Sequence, residues 1–220
     1  RAVFRLHPLP HQRRSFSISA VNPEEAQKLV LAIQDSKLAH VAIQSHFSAE
    51  IPSTIDILFE GTEAGLDAQA AHLCTLCQAK ISEASPAAWN ARQEIWSFST
   101  RAENAIAKIS TLPADLGRTI ELIRRTADST HLRWQSLMYA TGLGWLRLEG
   151  ATDNLHCALA NLRSNLEKMG GFLIVLHRPA ALFALDAWGT PGDSLPLMQA
   201  IKRQLDPVNT LNPGRFLRGI

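Results

Sequence analysis

Residues 54–77, TIDILFEGTEAGLDAQAAHLCTLC, decide the fold, because their pattern returns at residues 143–166, LGWLRLEGATDNLHCALANLRSNL. Each stretch begins with alternating apolar and polar residues, which is typical of a half-buried strand, and continues with apolar residues at helical spacing. Three landmarks keep one constant offset between the stretches: the Glu-Gly pairs at 60–61 and 149–150, Leu66 and Leu155, and Leu73 and Leu162. The sequence therefore indicates two copies of a strand followed by a helix.

The residues before each copy also match. Asn22-Pro23-Glu24-Glu25 supplies an N-cap, a proline in the first turn and two acids, which together predict a helix start. Pro113 begins the corresponding helix in the second copy. The two helices share apolar positions at an offset one residue longer: Pro23, Ala26, Val30 and Ile33 match Pro113, Leu116, Ile120 and Ile123. The predicted halves are residues 13–80 and 104–177, the second ending in the apolar strand at 172–176.

These patterns predict an α+β fold built by duplication. Two ferredoxin-like βαββα units would form one wide antiparallel sheet, with helices on one face and a polar opposite face. The alternative is that apolar stripes recur by chance, as they do in many α+β proteins. Residues 86–99, with Trp89 and Trp96, are expected to bridge the halves and to be held down by their aromatic side chains. Residues 187–196, rich in Gly and Pro, are predicted to form a loop.

Composition excludes several classes of protein. The chain has 220 residues, 46% of them hydrophobic, and its formal charge is only +2, from 22 basic and 20 acidic residues. A disordered polyampholyte and a strongly basic nucleic-acid binder are thereby excluded, so no nucleic acid is expected as a partner. No run of about 18 apolar residues is present to span a membrane. Three cysteines are too few for a disulfide framework, which favours a cytoplasmic location. Peripheral attachment at the inner membrane is the second location considered.

The cysteines and most histidines give only weak signals. Cys74 and Cys77 have the spacing of a redox motif, but they fall on a helix stripe, so both are predicted to be core cysteines. His72 beside them does not make a zinc site, which needs four ligands. His7 and His11 are spaced by four, but the intervening prolines exclude a helix there. No metal site is predicted.

The tail carries the most specific motif. A helix at residues 195–205 leads into Asp-Pro, a turn and Asn-Pro-Gly-Arg, and the key positions are Lys202, Asp206, Pro207, Asn212, Pro213, Gly214 and Arg215. This pattern resembles the C-terminal signature of FAD-linked oxidases of the vanillyl-alcohol-oxidase type. Asn209 stands where glycine is often found, and asparagine tolerates the positive φ that such a turn needs. The alternative is that Asn-Pro-Gly is merely a tight turn that ends a helix.

Three further matches resemble the E subunit of glycolate oxidase: Trp188-Gly189, the strand end at residues 148–150, and the opening segment 4–10. The resemblance implies that residues 1–220 are the substrate (cap) domain of an FAD-dependent 2-hydroxy acid oxidase or dehydrogenase, with residues 178–220 returning to the flavin domain. A flavin pyrophosphate usually needs a glycine-rich loop. The pair Gly142-Leu143-Gly144 lies between predicted strands and indicates a hairpin. The flavin-binding domain is therefore expected to be missing from this chain.

What the resemblance implies for the site concerns two regions. Asn212 and Arg215 are predicted to lie near the cofactor, FAD, which the missing domain would mainly bind; alternatively, Arg215 is a surface cation. By parity, the polar sheet face carries eight side chains: His40, Gln44, His46, His131, Arg133, Gln135, Trp145 and Arg147. Arg133 or Arg147 would bind the carboxylate of a 2-hydroxy acid, and His131 would polarise its hydroxyl. The alternative is a solvated face without a role.

The implied partners are the missing N-terminal flavin domain and the D-type flavin and iron–sulfur subunits of a glycolate oxidase complex. A homodimer is also expected, because the missing domain would leave apolar surface uncovered. In relatives of the D subunit, a His-x-His pair binds metal, and no such pair occurs here. The isolated chain is therefore expected to be inactive. The competing hypothesis is a duplicated ferredoxin-like module that binds a ligand or a protein and has no redox role.

Overall fold

Eight strands and six helices make up the part of the chain that a computed structural model describes, namely residues 3, 10, 12–20, 22–77, 81–97 and 103–220. The strands are β1 (Gln12–Ala20), β2 (His40–Ser48), β3 (Ser53–Gly61), β4 (Ile81–Glu83), β5 (Glu103–Ser110), β6 (Arg133–Tyr139), β7 (Leu143–Gly150) and β8 (Phe172–His177). The helices are α1 (Pro23–Asp35), α2 (Glu63–Cys77), α3 (Ala91–Ile95), α4 (Leu116–Ser129), α5 (Thr152–Lys168) and α6 (Leu195–Leu205).

All eight strands form one sheet in the order β4-β1-β3-β2-β6-β7-β5-β8, and every neighbouring pair is antiparallel. The first unit has the ferredoxin-like strand order β4-β1-β3-β2. The second unit has the same order read from the opposite edge of the sheet, β6-β7-β5-β8. The predicted α+β class and the duplicated wide sheet are thus confirmed. The short strand β4, which the sequence pattern did not reveal, completes the first unit as β8 completes the second.

Four helices cover one face of the sheet, as predicted. Helix α1 begins as its sequence requires: the side chain of Asn22 accepts a hydrogen bond from the Glu25 amide at 2.8 Å, and Pro23 occupies the first turn. Helix α1 packs against α4 at the middle of this layer, where Gln27 accepts a hydrogen bond from the Gly117 amide at 2.8 Å. The apolar stripes of α1, α2, α4 and α5 are buried with the alternate residues of the strands in one core.

The opposite face, here called the second face, is more covered than the sequence suggested. Residues 86–97, here called the bridge, lie across it. The Trp89 indole donates to the Ser15 hydroxyl at 2.9 Å, and Trp96 packs edge-on against Trp145. A second small core forms beneath the bridge from Ala91, Ile95, Ile106 and Leu137. The bridge prediction is confirmed over the described residues, and the expectation of an uncovered polar face is corrected.

The cysteine prediction holds for one of the two residues. Cys77 is half-buried against the core, whereas Cys74 is exposed, so its assignment to the core was wrong. His7, His11 and most of the opening segment 4–10 lie outside the described residues. Within the described part, no group of three or more His, Cys, Asp or Glu residues is arranged to hold a metal ion, and no helix is long and apolar enough to cross a bilayer.

The predicted hairpin between β6 and β7 turns at Gly142, which has φ +81°. A Cβ added there would overlap the Thr111 carbonyl oxygen, whereas a Cβ at Gly170 (φ +75°) would meet nothing. We expect Gly170→Ala to lower the free energy of unfolding by about 1–2 kcal/mol, from the backbone conformation alone. Gly142→Ala should cost more because it adds the overlap. Equal losses in chemical denaturation would contradict this account of the turn.

Candidate functional site

A cavity of about 560 Å³ opens on the second face of the first unit. Strands β1, β2 and β3 of the first unit and β6 of the second form its floor, the bridge forms one wall, and residues 48–52 form another. Two titratable side chains, His46 and Asp56, lie at the floor. They face the cavity because they alternate along their strands with core residues such as Phe47 and Ile55. The sheet therefore places a potential acid–base pair in a cavity whose size is typical of ligand sites.

Asp56 is the buried centre of this group, with only 4% of its side chain exposed. Its carboxylate lies 2.7 Å from His46 Nε2 and accepts a longer hydrogen bond, 3.3 Å, from Gln44 Nε2. Gln44 also donates to the Ala88 carbonyl at 2.8 Å, which links the pair to the bridge. Burial would raise the pKa of Asp56, but hydrogen bonds from His46, Ser17 and Gln44 and the charge of His46 hold that pKa below its usual value.

This geometry prepares His46 to accept a proton or a hydrogen bond. Because Asp56 is ionised, the favoured neutral tautomer carries its proton on Nε2 and donates it to the carboxylate. The other nitrogen, Nδ1, is then the basic atom. The side chain of His46 remains 28% exposed and is therefore more accessible from the cavity than that of Asp56, which is 4% exposed. A buried carboxylate that orients an accessible imidazole is an arrangement used in general base catalysis.

The second unit provides an internal comparison. Trp145 occupies the position of Asp56 at the constant offset of the duplication, and its strand partner Leu137 replaces Gln44. The bridge fills this half with Ala91 and Ile95. The same fold thus closes the second unit with apolar side chains and keeps a cavity with an ionisable pair in the first.

The arginines of the predicted site are brought together, but each is already paired. Arg133 and Arg147 line a smaller neighbouring cavity of about 100 Å³ with Glu149. Arg147 is buried, forms an ion pair with Glu149, and donates to the Ser97 carbonyl at 2.6 Å, so it anchors the end of the bridge. Arg133 is 75% exposed, with Nε 3.6 Å from a Glu50 carboxylate oxygen. Neither guanidinium faces the larger cavity.

Two histidines were assigned wrongly to the polar strand face. His131 lies in the turn before β6, exposed and with φ +52°, instead of continuing the strand alternation. His40 lies beyond a register shift in β2 that pairs it with Phe59, a core residue on the helix-covered face. The sequence had included His46 and Gln44 on the correct face, but it gave no sign that Asp56 would pair with them.

Residues 195–216, the part of the C-terminal segment 178–220 that is here called the tail, are organised around the Asp206 carboxylate. Asp206 accepts hydrogen bonds from the amides of Thr210 and Leu211, both at 2.9 Å, and from Lys202 Nζ at 2.5 Å. Hydrogen bonds from Lys202 and the two amides lower the pKa of Asp206. Asn209 has φ +54°, which confirms that asparagine supports the turn expected there. The motif's Lys and Asp therefore have a shared structural role: they fold the tail.

The outer surface of the tail is apolar and uncovered. Helix α6 has no buried residue. Large apolar side chains project into solvent along the helix and the turn after it: Leu197, Ile201, Leu205, Val208 and Leu211. The end of the tail is attached to the domain by an edge-on contact of Phe216 with Trp188, with ring centroids 4.6 Å apart. Asn212 (φ +48°) and Arg215, which precede Phe216, are exposed. Contiguous apolar surface of this kind is typical of an interface.

Sequence comparison gives a match to a known family model in the tail. Residues 190–216 match the family model for the C-terminal domain of FAD linked oxidases. The match begins just before α6 and includes the Asp206 turn and the Asn-Pro-Gly-Arg motif. A search among curated proteins gives no match to the sequence.

Solved structures extend the likeness from the tail to the whole fold. The chain is similar to p-cresol methylhydroxylase with substrate bound, at 14% identity and a TM-score of 0.67, over 96% of this chain and 54% of that one. It is also similar to 4-ethylphenol oxidase from Gulosibacter chungangensis, at 15% identity and a TM-score of 0.64, over the same shares. An alkyldihydroxyacetonephosphate synthase gives 12% identity and a TM-score of 0.57, over 91% and 44%. The chain spans about half the length of these proteins and shares the fold of that part.

Replacing Asp56 tests the buried pair. Asp56→Asn keeps the size of the side chain and removes its charge. Because the pKa of Asp56 is lowered on folding, its stabilising contribution is present above the ordinary carboxyl pKa and is lost as pH falls through the lowered value. We expect Asp56→Asn to lower the free energy of unfolding by about 1–3 kcal/mol at neutral pH. In strong acid, the difference from the wild type should shrink.

Urea denaturation at neutral and strongly acidic pH measures both values. Asp67→Asn is the matched control, because Asp67 is an exposed carboxylate in an ion pair with Arg14 and its loss should change stability by less than about 1 kcal/mol. A loss for Asp56→Asn that is the same at both pH values would contradict the assignment.

Proposed function

We propose that this chain is the C-terminal cap of an FAD-dependent oxidoreductase and closes over a flavin that a separate N-terminal domain binds. The observation that carries the proposal is the tail. Its sequence matches the C-terminal domain of FAD linked oxidases, and its apolar side chains and its Asn212 and Arg215 side chains are exposed. A segment folded by its own buried carboxylate, yet uncovered on its outer side, fits a surface that another domain covers.

The described residues are better suited to covering FAD than to binding its diphosphate. A flavin diphosphate is usually bound by backbone amides of a glycine-rich loop. In the tail turn, the amides of Thr210 and Leu211 are committed to Asp206, and the Arg215 amide is committed to Asn212. The side chains of Asn212 and Arg215 remain for contact with the cofactor, which is the role proposed for them. FAD, when bound, accepts two electrons from a substrate.

The cap residues have three tasks under this proposal. The bridge and residues 48–52 limit the access of water to the cavity. Gln44 ties the Asp56 carboxylate to the bridge, so that a substrate meets a preformed group. His46 accepts a hydrogen bond from a substrate group within its reach. Positioning of this kind is how a rigid domain assists chemistry that a cofactor carries out.

The finer proposal, a glycolate-type enzyme, is supported by the sequence resemblance. A 2-hydroxy acid needs a cation for its carboxylate, and neither Arg133 nor Arg147 offers one to the larger cavity. We therefore assign this chain to the accessory flavin subunit of such a complex, docked to D-type flavin and iron–sulfur subunits, with oxidation of the acid at the D-type subunit. In this assignment, His131 would have to polarise the substrate hydroxyl from its turn before β6, at the edge of the sheet.

Flavin content tests the proposal directly. We expect the 220-residue chain, purified alone, to be colourless, and the protein expressed from the complete natural reading frame to carry about one FAD per chain. The absorption spectrum and the amount of flavin released by denaturation measure this. Stoichiometric flavin in the 220-residue chain would contradict the proposal, and so would a complete protein that is free of flavin.

The tail surface can be tested separately. Ile201→Asp and Leu205→Asp place charge on the exposed face of α6 without touching the core. We expect each to weaken binding to a separately expressed flavin-binding domain about tenfold or more, because a charge would be buried at the interface. Leu112→Asp is the control, since Leu112 is equally exposed but lies between β5 and α4. Equal effects of all three substitutions would argue against docking through the tail.

A further inference from the structure

We propose that the cavity above β1, β2 and β3 is a binding site for a small uncharged molecule that carries a hydroxyl group, with His46 as its hydrogen-bond acceptor. As a statement about a substrate, the inference rests on the proposed function. As a statement about a binding site, it requires no flavin and can be tested on this chain alone.

The size and lining of the cavity suit a small organic molecule. Its volume of about 560 Å³ falls within the range of roughly 300–1,000 Å³ that is typical of ligand sites. Apolar side chains, among them Ala87 and Ala88 of the bridge and Ile51 and Pro52, line part of the cavity. Hydroxyl, imidazole, amide and carboxyl groups line the rest. A ligand with an apolar body and one or more hydroxyl groups matches this distribution.

The charges of the lining exclude an anion. Three carboxylates line the cavity, those of Asp56, Glu83 and Glu94, and the described lining contains no Lys or Arg. A carboxylate ligand would be repelled and would find no guanidinium or ammonium partner. The 2-hydroxy acid expected from the sequence is therefore a poor match for this cavity.

The same charges do not call for a cation either. Asp56 is paired with His46 at 2.7 Å, and Glu83 is paired with Arg14 at 3.3 Å. Two of the three carboxylates are therefore compensated by groups of the protein itself. An uncharged ligand disturbs neither pair.

The floor selects a hydrogen-bond donor. In its neutral form, His46 directs the Nε2 proton at Asp56 and offers the Nδ1 lone pair, for which a hydroxyl group is the simplest uncharged donor. The hydroxyls of Ser17 and Ser85 and the amide of Gln135 also line the cavity and can donate or accept. The equivalent position in the second unit has Leu137 and Trp145 in place of Gln44 and Asp56, and Leu137 packs against the bridge. The duplication thus leaves the ionisable pair in the first unit, while β6 of the second unit contributes Gln135 to the lining.

The test uses a matched pair of probes on the 220-residue chain. Propane-1,2-diol and lactate have the same carbon skeleton and share a secondary hydroxyl, but lactate carries a carboxylate in place of the primary alcohol. The readout is the position of the His46 ring resonances in an NMR titration of protein labelled at histidine. We expect the diol to shift these resonances in a saturable manner and lactate to bind at least tenfold more weakly.

Two variants identify the site. Ala87→Leu narrows the cavity from the bridge without changing the His46–Asp56 pair and should weaken the saturable shift at least several-fold. Ala160→Leu, on the exposed side of α5 at the opposite face of the sheet, should leave it unchanged. Lactate binding as tightly as the diol would overturn the inference about charge. A diol shift that is strictly linear with concentration, or identical in the two variants, would overturn the site itself. Neither result bears on flavin content, so the proposed function stands or fails by its own experiments.

Discussion

The pairing of β2 with β6 is the interaction on which the architecture depends. Five consecutive residue pairs, from Gln44 opposite Tyr139 to Ser48 opposite Gln135, join two four-stranded sheets into one. Without this ladder, each unit would present an unpaired edge at the centre of the molecule, which is a template for association with other chains. The ladder also carries the site, because Gln44 and His46 belong to the strand that forms the seam. Separation of the units would therefore take the β6 residues Gln135, Ser136 and Leu137 away from the cavity.

The bridge makes the two units different although their strands are equivalent. Arg147 binds the Ser97 carbonyl at one end of the bridge, and Gln44 and Ser15 bind it at the other. Between these anchors, Ala91 and Ile95 seal the second unit. Arg147, which the sequence suggested as a carboxylate-binding group, holds this cover in place. Its ion pair with Glu149 and its hydrogen bond to a backbone carbonyl stabilise the structure.

Local rules were sufficient for the framework. The Asn22-Pro23 start, the helical stripes and the constant offset of the duplication predicted the sheet and its helical layer, because caps and stripes are local to one element and the offset is visible in the sequence itself. The site depends on features that periodicity does not contain. The register shift in β2 moved His40 to the other face, and the turn conformation of His131 removed it from β6. The pairing of Asp56 with His46 requires the alignment of β2 on β3, which no single strand encodes.

The tail combines a tightly folded interior with an uncovered exterior. Asp206 satisfies the amides of its own turn and fixes Lys202, so the segment keeps its shape without help. Its exposed apolar side chains contribute hydrophobic stabilisation only when another surface covers them.

Hydrogen–deuterium exchange of residues 195–216 measures this most directly, in the 220-residue chain and in the complete protein. The account predicts markedly slower exchange in the complete protein, with the largest change around α6. Identical exchange in the two proteins would show that nothing covers the tail and would contradict the view of this chain as a flavin cap.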